Sequence, residues 1–499
     1  MAKSAADPGL SMAGTTSLSS VSSEVSAIQS NDGNDRCPLS ASSRGYYYLS
    51  PQAVKKLPEY QYQGADLSPI YKHFLSPLAA WYVDHLTPTW LAPNSITLLG
   101  LMWMILSYCV IWYWAPGLYE ANTDVNAAYA VPGVVFLLNG CAMLIYQTLD
   151  NMDGKQARKT GSSSPLGLLF DHGCDAVNMI FGSGNWIAAM AMVPGNVEIL
   201  LGEDNENIQN KSIVCELFGG DAMMACMLVL CPMVAFYVST WEQYYTGKLI
   251  LPPFNGPTEG LLLGATLSIV SFLCGSMFWQ STSLVDAAIA KLSPQLGQES
   301  FIAGLDGCVR NMDLIVVASV VGLVQEVTLK AVFVTRTYGL QALRTLVPNA
   351  LLSLSTMAIV RMDPSILLRI PRTMLHLTSG LFVEQVTQLM LDHMVEENFE
   401  VRRRFVMIPQ VGIAVMMMME GMHISTQALD TFFLVYTTGL WVYLTFKVRL
   451  QVYEICDVLG IYCFDIVTPK SKSDMNANEI LGTTIPARRS ASSESKKVK

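Results

Sequence analysis

The sequence of 499 residues has few charged residues for its length. Asp, Glu, Lys and Arg make up 14% of it, whereas roughly a quarter is usual in soluble domains. Hydrophobic residues make up 51%, and the mean hydropathy is +0.36. These values exclude an ordinary soluble protein and predict a polytopic membrane protein.

The chain also lacks features that would point to other protein classes. The Ser-rich N-terminus has no basic stretch followed by an apolar one, so we expect no cleaved signal peptide. The 11 cysteines are scattered and show neither metal-ligand spacing nor a disulfide framework. The net charge of −9 is spread over loops and ends, and we therefore expect no nucleic-acid partner.

Ten apolar segments are candidates to cross the hydrocarbon layer, which takes about 20 helical residues, and the segment 346–361 is short for this. They lie at residues 92–114, 128–149, 165–193, 218–243, 257–282, 312–336, 346–361, 374–394, 405–424 and 428–449. Residues 67–86 are more polar and suit a helix at the membrane surface, with Trp81 and Trp90 at headgroup level. We therefore predict an all-α polytopic membrane protein with about ten transmembrane helices and an N-terminal interfacial helix.

These patterns divide the chain into five regions. We expect a disordered Ser-rich tail, an interfacial segment, a transmembrane core with the candidate catalytic residues, C-terminal transmembrane helices for lipid access or dimerisation, and a basic cytosolic tail. In the same order, these regions are residues 1–45, 46–91, 92–282, 283–466 and 467–499.

Four aspartates concentrate between the second and third predicted spans. Asp150 and Asp153 are three residues apart, and Asp171 and Asp175 are four apart, so each pair shares one helix face. Carboxylates beside a membrane are costly unless cations neutralise them. Because Mg²⁺ prefers oxygen ligands, the four acids predict a site for one or two divalent ions.

Basic residues follow the first acidic pair. Gly154, Lys155 and Arg158 lie in a predicted loop and suit a diphosphate ligand, whose charge an arginine and a metal would share. Lys155 is also explained as a residue of the positively charged cytosolic side.

Other polar residues are candidates for acid–base chemistry and ligand binding. His172 follows Asp171 directly and could accept a proton near neutral pH. Glu259 could support that imidazole, with Glu242 as a rival, or could simply favour the N-terminus of its helix. Asn94 offers amide donors at the same depth or caps the first span.

Basic residues near the helix ends favour one orientation. An even number of spans puts both chain ends on one side, and the basic tail 467–499 favours the cytosol. The acidic cluster then faces the cytosol, and the opposite loop carries a glycosylation sequon at Asn210. Lys496 and Lys497 resemble a dilysine retrieval signal, so we expect the endoplasmic reticulum or the Golgi.

The spacing of the site residues resembles the signature of the CDP-alcohol phosphotransferase family. It runs Asp150-x-x-Asp153-Gly154-x-x-Ala157-Arg158, eight residues, Gly167-x-x-x-Asp171-x-x-x-Asp175. Over residues 55–466 the chain resembles the eukaryotic choline/ethanolamine phosphotransferase branch, and the stretches that carry this are Trp90-Leu-Ala-Pro-Asn-Ser-Ile-Thr-Leu, Tyr146-Gln-Thr-Leu-Asp, Ser163-Ser-Pro-Leu-Gly, Asp171-His-Gly-Cys-Asp, Gly256-Pro-Thr-Glu-Gly and Leu459-Gly-Ile-Tyr-Cys-Phe.

This resemblance implies a membrane transferase. Members of the branch move phosphoethanolamine or phosphocholine from CDP-ethanolamine or CDP-choline to 1,2-diacylglycerol, and they release CMP. By position, the four aspartates would hold two Mg²⁺ or Mn²⁺ ions, and Asn94 and Arg158 would bind the CDP-alcohol. His172 would accept a proton with support from Glu259. The family also implies a homodimer, and the stretch Trp241-Glu-Gln-Tyr-Tyr slightly favours ethanolamine.

Two other functions stay open from the sequence. Another branch of the family would use inositol or glycerophosphate as the acceptor, but its members are typically shorter and His172 argues against them. A cation transporter with intramembrane carboxylates predicts an internal repeat and acids near mid-membrane. The acids here cluster at one edge beside basic residues, and no repeat is visible.

Overall fold

The computed structural model describes residues 46–118, 131–192, 212–296, 305–400, 405–419 and 424–466. The predictions for the two tails, for Asn210 and for Lys496 and Lys497 concern residues outside these ranges. The described residues belong to one compact unit, so we treat them together.

Short elements precede the first span. They are α1 (Pro51–Lys56), a 3₁₀ turn (Leu57–Glu59), β1 (Gly64–Asp66), a π-helical turn (Tyr71–Leu75) and α2 (Ser76–His85). The π turn and α2 form the predicted interfacial helix, and Trp81 and Trp90 are 50% and 76% exposed. Both aromatic side chains are therefore available to a membrane surface.

Long helices make up the rest of the fold. They are α3 (Pro93–Trp114), α4 (Gly133–Thr160), α5 (Pro165–Ala189), α7 (Asp221–Thr246), α8 (Leu261–Cys274), α10 (Asn311–Tyr338), α11 (Val347–Met362), α13 (Pro371–Met394), α14 (Ile408–Met418) and α15 (Thr426–Leu459). The smaller elements between them are α6 (Ile213–Phe218), β2 (Leu249–Leu251), a π turn (Gly256–Gly260), α9 (Ser283–Leu296) and α12 (Ile366–Arg369). The predicted fold class, an all-α polytopic membrane protein, is confirmed.

Each of the ten predicted spans contains a helix within its described residues, but not all of these helices are apolar enough to face lipid. Seven helical stretches among the described residues are long and apolar enough to cross a membrane: Pro93–Trp114, Gly133–Thr160, Asp221–Thr246, Gly256–Cys274, Asn311–Tyr338, Leu340–Met362 and Thr426–Leu459. The stretch Phe405–Met418 is apolar but shorter. Helices α5 and α13 fall outside this set because acids and amides interrupt their apolar residues.

Helices α5 and α13 lie in the interior of the bundle. They pack against each other, and α5 also contacts α3, α7 and α8. Most residues of both helices are buried, including Phe181 and Ile187 of α5 and Phe382 and Leu389 of α13. A helix enclosed by other helices does not need an apolar surface towards lipid, and this explains their polar content.

Helix α4 differs most from its predicted boundary. The sequence predicts a span that ends at residue 149 and a loop after it, whereas the helix continues to Thr160. Lys155, Ala157 and Arg158 are good helix formers, and Gly161 ends the helix with a φ of 69°. The prediction that Gly154, Lys155 and Arg158 lie in a loop is therefore wrong.

A buried polar network ties four helices together near α5. Asn139 of α4 accepts from Ser107 of α3 at 2.8 Å and from Asn185 of α5 at 2.7 Å. Its own amide donates to Ser268 of α8 at 2.8 Å. These bonds join the helices that carry the acids to the rest of the bundle.

Two buried lysines are paired with acids inside the bundle. Lys447 of α15 lies 2.8 Å from Glu384 of α13. Lys330 of α10 lies 2.8 Å from Glu326 and 3.5 Å from Glu242 of α7. Each lysine compensates a carboxylate that would otherwise be costly in the membrane interior. Glu242, the rival partner for His172, is thus engaged with Lys330.

Candidate functional site

Three of the four predicted metal ligands meet in one cluster. Asp150 and Asp153 come from the second half of α4, and Asp171 comes from the second turn of α5. One carboxylate oxygen of each lies within 4.8 Å of the others. The helix spacing predicted from the sequence therefore brings both helices' acids to one place.

Neighbouring hydroxyl groups orient two of the acids. Thr97 of α3 donates a short hydrogen bond to Oδ2 of Asp153. Tyr146 of α4 donates to Oδ1 of Asp175 at 2.5 Å. Asp175 is therefore held by Tyr146, one helical turn beyond Asp171.

The cluster fits a divalent cation. Oδ1 of Asp150 and Oδ1 of Asp171 are both buried without a hydrogen-bond partner among the described residues. A buried carboxylate oxygen without a donor carries a large desolvation cost unless a cation compensates it. Carboxylate oxygens are the ligands that Mg²⁺ and Mn²⁺ prefer. The residues present thus match a site for a divalent metal ion.

His172 lies in the same part of α5 and is buried. Its Nδ1 atom is 3.5 Å from Oδ2 of Asp171. The imidazole packs edge-on against Phe236 of α7, with ring centroids 6.2 Å apart. The ring is therefore held between the acidic cluster and an aromatic wall.

Glu259 occupies a different environment from the predicted one. Its Oε1 atom accepts a short hydrogen bond from Ser68, and its Oε2 atom accepts from the backbone N–H of Asn255 at 2.8 Å. Both carboxylate oxygens thus hold the segment before α2 against the turn before α8. The predicted support of His172 by Glu259 stays a prediction.

The same turn is bound to the site helix α4 and to β1. Gln147 of α4 donates to the carbonyls of Pro257 and Thr258 at 3.0 and 2.8 Å. Asp66 accepts from the Thr258 hydroxyl at 2.8 Å, and β1 pairs in parallel with β2 from Gly64 and Leu249 onwards. These contacts fix the N-terminal segment beside the acidic cluster.

The basic residues of α4 fall into two groups, those that bind α2 and one that is exposed. Lys155 donates to Ser76 of α2 at 2.8 Å, and Lys159 donates to the carbonyl of Val83. Arg158 is exposed, and its guanidinium lies 3.5 Å from the position that a Cβ would take on Gly154. Lys155 therefore anchors the interfacial helix, whereas Arg158 faces open space beside the acids.

Tyr62 brings the N-terminal segment close to the acids. Its ring folds back over Gly64, where an added Cβ would lie 2.0 Å from the tyrosine oxygen. Desolvation raises the pKa of Tyr62, although 48% of the residue is exposed, and the charge of Asp171 raises it further while Arg158 lowers it. The hydroxyl is therefore protonated and remains a hydrogen-bond donor near the site.

Asn94 does not cap its helix. The cap position of α3 is Ala92, and Asn94 lies inside the first turn, where it is buried. Its Nδ2 atom donates to the backbone carbonyl of Cys463 at 2.7 Å. The amide nitrogen of Asn94 is therefore bonded to Cys463, and the predicted binding of a CDP-alcohol by Asn94 stays a prediction.

Three orienting contacts were not part of the sequence prediction. Thr97 is one turn beyond Asn94 on the same helix face, so its position could have been inferred from the spacing. Tyr146 begins the stretch Tyr146-Gln-Thr-Leu-Asp that carries the family resemblance, and the structure shows it bound to Asp175. The contact of Cys463 joins residues 369 positions apart, and no local pattern could reveal it.

Comparisons with known proteins show what the region around this site is similar to. Residues 90–200 match the family model described as CDP-alcohol phosphatidyltransferase. Choline/ethanolaminephosphotransferase 1 of Arabidopsis thaliana is 35% identical over 232 residues, which cover 46% of this chain and 50% of that protein.

Other relatives agree with this match. Choline/ethanolaminephosphotransferase 1 of Saccharomyces cerevisiae is 30% identical over 236 residues, 47% of this chain and 51% of that protein. Cholinephosphotransferase 1 of Gallus gallus is 32% identical over 231 residues, 46% of this chain and 58% of that protein. The chain thus matches about half the length of these relatives. The acids, Asn94 and His172 all lie within residues 90–200, the part of the chain that matches the CDP-alcohol phosphatidyltransferase family model.

Proposed function

We propose that this protein transfers phosphoethanolamine or phosphocholine from the corresponding CDP-alcohol to 1,2-diacylglycerol and releases CMP. The observation that carries the proposal is the convergence of Asp150, Asp153 and Asp171 within 4.8 Å, with two buried carboxylate oxygens that accept no hydrogen bond from the described part of the chain. The names of the relatives support the choice of substrates, since they are choline and ethanolamine phosphotransferases.

The four aspartates would hold two Mg²⁺ or Mn²⁺ ions. When bound, these ions would spread the charge of the diphosphate and stabilise the departing CMP. Asp153 and Asp175 are already oriented by Thr97 and Tyr146. Arg158 lies beside this cluster and supplies a guanidinium for phosphate oxygens.

His172 is suited to accept the proton of the lipid hydroxyl. With its hydrogen on Nδ1, which lies 3.5 Å from Oδ2 of Asp171, the imidazole would leave Nε2 as the acceptor. The hydroxyl oxygen of diacylglycerol would bond to the phosphorus that bears the amino alcohol, and the bond from that phosphorus to CMP would break. A positioned base contributes about 10²–10⁴-fold to such a step.

We further propose that the protein lies in the membrane of the endoplasmic reticulum and that the site faces the cytosol. Lys155, Arg158 and Lys248 lie at the site end of the bundle, whereas two arginines of the other end are bonded to carboxylates or to backbone carbonyls. Arg369 pairs with Asp363 and Asp430 at 2.8 Å. Arg372, also at that end, is buried and donates to the carbonyls of Ala115 and Pro116 at 2.6 Å.

The oligomeric state and the regional division stay predictions. A homodimer would need an exposed apolar surface. Helix α10 offers one, because only 17% of its apolar 18-residue stretch is buried. Regions 92–282 and 283–466 remain proposed as catalytic core and C-terminal helices. Helix α13 of the second region packs directly on α5 of the first, so the two would not be independent.

The proposal is tested by the reaction itself. Membranes that contain the protein are given diacylglycerol, Mg²⁺ and either CDP-ethanolamine or CDP-choline, and CMP release is measured. We expect release with the wild type, almost none with Asp175→Ala, and normal release with Asp84→Ala, an exposed aspartate of α2. Equal release by the wild type and Asp175→Ala would overturn the proposal.

A further inference from the structure

We propose that residues 460–466, here called the C-terminal segment, position Asn94 so that its side chain presents an oxygen acceptor to the nucleoside of the CDP-alcohol. This inference rests on the proposed function. It assigns a role to a segment that lies outside residues 90–200, the part of the chain that matches the family model.

The C-terminal segment folds back from the end of α15. Gly460 ends the helix with a φ of 63°, which favours glycine. The N–H of Ile461 then donates to the carbonyl of Cys456 at 3.1 Å. Further along, the ring of Phe464 packs edge-on against Phe170 of α5, with centroids 5.6 Å apart. The segment therefore bridges α15 and the site helix α5.

The bond between Cys463 and Asn94 sets the orientation of the asparagine. The Cys463 carbonyl oxygen can only accept, so the Asn94 amide must face it with its nitrogen. Nδ2 lies 2.7 Å from this oxygen and 3.7 Å from Sγ of the same cysteine. The nitrogen of the Asn94 amide thus faces Cys463, and Oδ1 lies on the other side of the amide group.

The free end of Asn94 faces the start of α5. Its Oδ1 atom lies 3.6 Å from the position that a Cβ would take on Gly167. Gly167 precedes Asp171 by one helical turn and shares its face. The acceptor of Asn94 is thus directed towards the helix that carries two of the site aspartates.

This orientation decides which ligand group Asn94 can recognise. An amide oxygen accepts hydrogen bonds, so it suits a donor and is unsuited to phosphate oxygens, which are acceptors themselves. The donors of a cytidine nucleotide are the amino group of the base and the hydroxyls of the ribose. We infer that Asn94 binds the nucleoside part, while Arg158 and the aspartates serve the diphosphate.

The first experiment compares two aromatic residues of the C-terminal segment. Phe464→Ala removes the contact with Phe170, whereas Tyr462→Ala removes a side chain that is 80% exposed. We expect Phe464→Ala to raise the Kd for CMP with Mg²⁺, and the KM for the CDP-alcohol, by up to about tenfold, the value of one hydrogen bond. We expect kcat to stay within about twofold of wild type, and Tyr462→Ala to behave as wild type.

A conservative variant separates positioning from general damage to the fold. Phe464→Tyr keeps the ring edge and should restore wild-type CMP affinity. If Phe464→Ala is produced in low yield, Phe464→Leu keeps an apolar side chain without the ring and gives the same comparison. Unchanged CMP affinity in folded Phe464→Ala or Phe464→Leu would overturn the inference.

The second experiment identifies the donor. UMP lacks the amino group of the base, and 2′-deoxy-CMP and 3′-deoxy-CMP each lack one ribose hydroxyl. The wild type should bind one of these three more weakly than CMP, and the difference should shrink in Phe464→Ala. Equal binding of all four nucleotides by the wild type would contradict the role of Asn94 as an acceptor. Failure of the wild type to bind CMP or release it would instead refute the proposed function.

Discussion

The hydroxyl of Tyr146 on α4 donates to Oδ1 of Asp175 on α5 at 2.5 Å. Tyr146 is buried, so this bond connects the fourth aspartate to the helix that carries the first two. Groups that orient a ligand residue typically affect metal affinity or activity by about 10–100-fold. The tyrosine is therefore part of the apparatus that shapes the acidic site.

Replacing Tyr146 by Phe should weaken metal binding. Loss of the hydroxyl leaves the Asp175 oxygen without its donor, and we expect the Mg²⁺ concentration for half-maximal CMP release to rise about tenfold. Tyr108→Phe is the matched control, because Tyr108 is also buried and contacts His376 at 3.0 Å at the other end of the bundle. An unchanged metal requirement in Tyr146→Phe would show that the bond has no such role.

Removal of divalent ions should stop the reaction and lower stability. We expect EDTA to abolish CMP release and to lower the denaturation temperature of the detergent-solubilised protein, because the acids would repel one another without a cation. Mg²⁺ or Mn²⁺ should restore both properties. In Asp150→Asn the metal should stabilise the protein less than in wild type, and Asp84→Asn should respond as wild type does.

His172→Ala should separate binding from turnover. The variant keeps the four aspartates and Asn94, so CMP affinity should stay within about twofold of wild type, since those groups carry the binding. The kcat should fall by about 10²–10⁴-fold, the usual contribution of a general base. A variant that loses nucleotide affinity but keeps kcat would remove His172 from the chemistry.

Glu259→Gln distinguishes an anchor from a catalytic partner. Its two oxygens accept from Ser68 and from the backbone of Asn255, so an anchor role predicts lower thermal stability with little change in kcat. Asp66→Asn is a matched comparison, because Asp66 binds Thr258 in the same turn. A fall in kcat comparable to that of His172→Ala, at normal stability, would instead support the predicted link to His172.

The buried pair of Lys447 and Glu384 should matter for stability rather than for the reaction. Their side chains are 3% and 4% exposed and lie 2.8 Å apart. Lys447→Met alone leaves a buried carboxylate and should cost about 3–5 kcal/mol. Lys447→Met combined with Glu384→Gln should recover most of that loss, as measured by thermal denaturation in detergent. A double variant no more stable than Lys447→Met would exclude direct pairing as the cause.

The helical fold and the acidic cluster could be predicted well because both depend on local patterns. Apolar runs of about 20 residues define the spans, and spacings of three and four residues place Asp150 with Asp153 and Asp171 with Asp175 on common faces. The predicted ends of α4 and α15 lie about ten residues before the observed ends. The last turns of both helices are polar, so they do not resemble a span, but they remain helical in contact with the rest of the protein.

By itself, the sequence determined the membrane-spanning class, the positions of the helices and the chemical character of the acidic site. Those properties follow from composition and from residues at most a few turns apart. Only the tertiary structure decided what the polar side chains bind. Lys155 holds the interfacial helix, Glu259 holds the turn before α8, and Asn94 is oriented by the carbonyl of Cys463. Hydrogen bonds form between the donors and acceptors that the packing of the helices brings together. Asn94 and Cys463 are 369 positions apart, and no local sequence pattern indicates that they are in contact.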